Sequence, residues 1–225
     1  MLNTLSSRAT FYDIVAYFMP GLIAISVVWL WIVLLCGHEA FGGIIDAALE
    51  HWVMASIFGV TLSYVAGHCA NSCSSWLLEK HIFARSFADA SNWYKRLRDC
   101  SPERECVVNK IVTAEFGIDT AKLKPFDLLI RLEESFPQAV VSGFSFLCFY
   151  GMSRTMALLS WLSAIPIGIF AGMNWGGCCN SKICVGVMTG LLMCVVGVLF
   201  INQYIRFVRY YYDFLASALV FPKGK

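Results

Sequence analysis

The run WVMASIFGVTLSYVAGHCANSCSSWLL, Trp52 to Leu78, decides the fold. It contains no Asp, Glu, Lys or Arg, and His68 is its one side chain that titrates near neutrality. A helix needs roughly 20 mostly apolar residues to cross about 30 Å of hydrocarbon, so this run is long enough to span with some tilt. Working outward, Ile14–His38, Thr155–Ser181 and Ile183–Ile205 are equally free of charged side chains. Four spanning helices are therefore expected. The first run is too long for the apolar core of a signal peptide and lacks a small-residue cleavage site, so it is expected to persist as the first span. Ser135–Ser153 is also uncharged, but it carries Gln138, Ser142, Ser145 and Ser153 and is closed by Arg154. We read it as an N-terminal extension of the third spanning helix, with Arg154 snorkelling to the interface.

The charges confirm two environments. Hydrophobic residues make up 58% of the chain and charged residues 14%, well below the quarter or so usual in soluble domains. The charges concentrate between Glu79 and Glu134, which holds most of the Lys and Arg and most of the acids. The Glu39–His51 loop has Glu39, Asp46 and Glu50 but no Lys or Arg, whereas the tail adds Arg206, Arg209, Lys223 and Lys225. By the positive-inside rule the central segment and both termini lie in the cytoplasm, which requires an even number of spans. Trp29, Trp31, Trp52, Trp76 and Trp175 fall near span ends, as an aromatic belt would; Trp161 fits that pattern less well.

The expected architecture is an all-α integral membrane protein of the inner or plasma membrane. Residues 1–78 form transmembrane helices 1 and 2, and 79–135 form a small helical cytoplasmic domain. Residues 136–205 form helices 3 and 4 with the cytoplasmic extension of helix 3, and 206–225 form a C-terminal interfacial segment. Within 79–135, Ser101-Pro102 reads as an N-cap with proline at the first helical position, followed by acids in the first turn. Gly117 is the expected stop, and Pro125 opens another helix. So short a domain is marginal alone, so it should lean on the membrane helices or on other subunits. The aromatic tail Tyr204–Phe221 is expected at the membrane interface, held by anionic headgroups.

Gly59, Ser63, Gly67, Asn71 and Ser75 recur every four residues and form one small or polar stripe, with His68 beside it. Small residues let helix backbones approach closely in lipid. The stripe therefore serves helix packing within the chain, or a subunit interface or pore lining. Gly168/Gly172 and Gly186/Gly190 are further close-packing pairs, and Pro20-Gly21 predicts a kink or an interrupted start to the first span. Cys69 and Cys73 with His68 match no common zinc spacing and lack a fourth ligand, so neither metal nor cofactor is expected. Cys36, Cys178, Cys179 and Cys184 could pair on the outer face. No phosphate-binding glycine loop, metalloprotease helix or nucleophile elbow occurs, and Ser63 and His68 fall on different helix faces; catalysis is not expected. With a net charge of +2, the chain has no bulk basic character for duplex nucleic acid. Trp93, Tyr94, Arg96 and Arg98 are the best local patch for a phosphate and a stacked base, set against an ordinary solvated face.

Phe11-Tyr12-Asp13, Pro20-Gly21, Ser63-Tyr64 with Gly67-His68, and Glu79-Lys80 resemble features of small four-span bacterial membrane effectors of antiphage defence, of the CBASS and Hailong type. The resemblance covers roughly the first 80 residues and the general layout. It implies an ion channel, oligomeric (a tetramer as first guess), gated by a nucleotide or oligonucleotide from a partner nucleotidyltransferase. It supplies no matched ligand-binding motif. The other reading of the sequence is a membrane anchor or adaptor that recruits a cytoplasmic protein.

Overall fold

A computed structural model describes residues 13–36, 42–86, 102–116, 137–173 and 180–220. Every element among them is helical. A π-helical turn, Ile14–Phe18, leads into α1, Met19–Cys36. The change of helix type falls next to Pro20, whose ring removes a backbone donor, and it is the interrupted start that Pro20-Gly21 predicts. The short helix α2, Gly42–Glu50, follows. The acidic stretch was read as a loop; instead its Ala-Ala-Leu-Glu run of strong helix formers closes two turns. Helix α3 covers Trp52–Ser74 and continues as a π-helical segment, Ser75–Ile82. Helix α4, Pro102–Phe116, begins at the proline and ends just before Gly117. Helix α5 runs unbroken from Pro137 to Met173, through Arg154, so the uncharged stretch before Arg154 belongs to the same helix as the span. Helix α6 is Asn180–Val220.

Four stretches are long and apolar enough to cross a membrane: Ile14–Val33, Trp52–Ile82, Ser145–Met173 and Ile183–Phe214. Their outer faces carry exposed Met54, Phe58, Met188, Leu191 and Leu199. A row of such side chains turned outward along a long helix is what a lipid-facing surface presents.

The chain divides into two compact units, one of residues 1–82 with 151–203, the other of 83–150 with 204–225. In the first unit α1 and α3 meet backbone to backbone. A Cβ on Gly21 would strike the Ser63 carbonyl, and one on Gly67 would strike the Tyr17 carbonyl. Gly186 and Gly190 face Ala171 and Ile167 of α5, while Gly168 and Gly172 have open space around them. Gly197 of α6 leaves room for the Trp161 indole, whose Nε1 donates to the Cys194 carbonyl at 3.4 Å. This contact explains why Trp161 departs from the belt pattern. Trp29, Trp52 and Trp76 are exposed, as belt residues are. Trp31 turns inward and donates from Nε1 to the Leu162 carbonyl at 3.0 Å.

In the second unit the start of α5 lies along the end of α6 as an aromatic ladder. Phe149 stacks on Phe207 with ring centroids 5.5 Å apart, and Tyr150 meets Tyr204 at 5.9 Å and Phe146 meets Phe214 at 6.0 Å with tilted rings. Tyr204 and Val208 form its buried centre. The sequence reading gave the rings of the tail to lipid headgroups; among the described residues Tyr204, Phe207 and Phe214 pack on α5, where Phe146, Phe149 and Tyr150 present matching rings one helical turn apart, while Tyr210 is exposed. Arg206 and Arg209 stay exposed on the opposite face.

Candidate functional site

Arg154 organises a buried polar cluster in the first unit. The expectation that it snorkels to the interface is overturned: it is 4% exposed. Its partners come from the end of α3 and the π-helical segment that follows. Nη1 makes an ion pair with Glu79 Oε1. Nη2 donates to Asn71 Oδ1 at 2.5 Å and to the Asn71 carbonyl at 3.3 Å, and Nε donates to Ser74 Oγ at 3.2 Å. Ser74 Oγ in turn donates to the Asn71 carbonyl at 2.8 Å. Thr155 Oγ1 lies 3.2 Å from Ser74 Oγ, 3.3 Å from Asn71 Oδ1 and 3.0 Å from the Gly151 carbonyl. Ser75 Oγ donates to Glu79 Oε2 at 2.7 Å, holding the second carboxylate oxygen. Ser74 and Thr155 are fully buried. Each nitrogen of the guanidinium therefore has an acceptor, which is the condition under which a charge tolerates burial.

Helix geometry fixes the level of this cluster. At the α-helical rise, Arg154 lies about 29 Å along α5 from Met173, which matches the roughly 30 Å of a hydrocarbon core. On α3, Trp52 to Ser72 is likewise about 30 Å. About 30 Å of helix without a charged side chain thus separates the cluster from the far end of both spans.

The stripe residues fall in several places. Ser63 is 1% exposed and donates to the Gly59 carbonyl at 2.7 Å, and Gly67 is buried against α1. These two therefore face the chain's own interior. Asn71 and Ser75 belong to the Arg154 cluster. Gly59 is half-buried with nothing within van der Waals reach of a Cβ. His68 stacks on Tyr17 at 3.8 Å and meets Tyr64 edge-on at 4.6 Å, so its ring fills the α1–α3 crossing beside Gly67. Among the described residues no three His, Cys, Asp or Glu side chains converge. Cys69 and Cys73 are free and exposed, as is Cys184; Cys178 and Cys179 lie outside the described residues. So do Trp93, Tyr94, Arg96 and Arg98, and the helix expected from Pro125.

Between α1, α3 and α5 runs an open apolar groove of ≈ 610 Å³, with Cys69 and Cys73 on one wall and Leu158 and Leu162 on another. Its lining is almost wholly apolar, as a packing or lipid-facing surface is.

Sequence reasoning found Asn71 and Ser75 but missed Glu79 and Arg154 as partners. Both are visible as lone charges at the edges of uncharged runs, and an ionisable residue at membrane depth calls for a named partner. That signal was present and was read as snorkelling. Compared with known proteins, the chain matches no protein-family model, no curated protein and no solved structure.

Proposed function

We propose that this chain is one subunit of an oligomeric channel of the cell's inner membrane, with both termini in the cytoplasm, whose resting state is held by the Arg154–Glu79–Asn71 cluster. The observation that carries the reading is the burial of Arg154 with Glu79 between two helices long and apolar enough to span a membrane. A buried ion pair is a poor way to stabilise a fold, since well-packed apolar residues do as well or better. Its value lies in specifying one arrangement, and charged groups at membrane depth accompany ion paths and their gates. Four spans leave little room for an aqueous pore within one subunit, so conduction requires a ring of copies, with a tetramer as first guess. The resemblance to four-span defence effectors supports a cytosolic nucleotide or oligonucleotide as the gating ligand. Such a ligand opens the pore only by binding the open state more tightly than the closed one.

The test is ion flux through liposomes containing the purified protein, with and without cyclic and linear oligonucleotides. Flux that rises with a ligand, and a raised basal leak in Arg154→Leu, is the expected result. A monomer in mild detergent that conducts under no condition overturns the proposal and leaves the adaptor reading.

A further inference from the structure

We infer that the π-helical segment Ser75–Ile82 is a register switch, held in its π form by Arg154. As the regulation of the site just described, it rests on reading the cluster as the element that holds a state, but the register itself can be measured without any conduction.

A π-helix hydrogen-bonds five residues back and is rare, occurring mostly as single-turn interruptions at functional sites. Here it begins at the residue after Ser74, within the run from Asn71 to Glu79 that holds Arg154, and it carries Glu79. The buried face of α3 runs through Ser63, Gly67, Ser74 and Leu78 at helical spacing. An α-helical continuation would put His81 or Ile82 next on that face, yet both are exposed. The wider turn has therefore rotated the segment. His81 marks the change: its Nδ1 lies 2.8 Å from the Trp76 carbonyl, five residues back, and its ring sits 4.5 Å from the Trp76 indole.

The α alternative differs by one residue of register, roughly 100° of rotation. In that register Leu78 takes approximately the azimuth that Glu79 holds now, and Arg154 loses its carboxylate. The π form thus persists because it delivers Glu79, through Ser75 Oγ as well as the guanidinium, to a buried cation. Replace that cation with an apolar side chain and the balance reverses: Leu78 becomes the better neighbour and the ordinary helix returns. Two packings of one sequence, separated by a single helical step and biased by a charge, make a bistable element.

The experiment uses the full chain in lipid nanodiscs with a benzophenone amino acid placed singly at His81 or Ile82. In the otherwise native chain both positions point outward, and illumination should give no crosslink to α5. In Arg154→Leu the same positions should crosslink to α5 at its 151–154 stretch, the part nearest their level, and not further along the span. Ser75→Ala, a milder change that removes one of the carboxylate's holds, should give the same products in lower yield, and it serves if Arg154→Leu does not insert. Deleting the exposed Trp76 removes the surplus residue, so Glu79 should reach Arg154 through plain α geometry with no α5 crosslink. An unchanged crosslink map in Ser75→Ala and Arg154→Leu overturns the switch. Crosslinks that move without any ion flux keep the switch and remove the channel; flux that changes with an unmoved map does the reverse.

Discussion

Pro166 stands inside α5 and has no N–H for the Leu162 carbonyl four residues back. In hydrocarbon an unpaired carbonyl has no water to turn to, and the Trp31 indole of α1 supplies the missing donor. Trp31→Phe should therefore destabilise the protein by about 1–3 kcal/mol, the cost of a buried polar group left unmade. Pro166→Ala in the same chain should recover most of that loss, since alanine restores the backbone donor; thermal unfolding of the single and double variants in detergent measures the coupling. The Arg154–Glu79 pair invites the same treatment. Losing either partner alone should cost about 3–5 kcal/mol, because a charge is left buried, whereas replacing both with leucine should cost far less. Neither pairing was legible in the sequence. Proline and arginine are visible there as disturbances, but what answers them depends on how α1 and α3 are placed against α5, and no local spacing encodes that.

Elements were legible where a periodic pattern and a terminator coincide. Pro102 and Gly117 bracket α4 as the propensities require, and the four uncharged runs became the four long helices. The short helix α2 was missed because two turns offer too few residues for a period to show. The π-helical segment has no compositional signature at all; it exists through a tertiary contact. The aromatic tail was seen but its packing on α5 was not, since rings suit a headgroup layer and a protein face equally well. That packing makes a prediction at this scale. Tyr204→Ala removes a ring that is 1% exposed and should cost about 3–5 kcal/mol, as large aromatic truncations do. Limited proteolysis should then cut within 204–220 sooner than in the parent. Gly67→Ala should be severe, since the added methyl meets the Tyr17 backbone, while Gly168→Ala and Gly172→Ala should leave the melting temperature nearly unchanged.

For the whole molecule the governing property is the partition of apolar and charged residues along the chain. Composition alone reveals it, because lipid and water enforce it on every residue at once. Placing both termini and the Arg-rich segment in the cytoplasm predicts that reporter domains fused at either end report the same compartment. It also predicts that membrane-impermeant reagents added outside intact cells leave the region around Arg96 unmodified. Modification there would reverse the topology.

The α1–α3 crossing at Gly21 and Gly67 has a mechanical corollary. Where two main chains touch with no side chain between them, nothing can be compressed or re-posed to let one slide along the other. Relative motion of these helices reduces to tilting about that point, as a lever turns on its fulcrum. Displacement then grows with distance from it, smallest at the neighbouring Tyr17, His68 and Tyr64 rings and largest at the far tips.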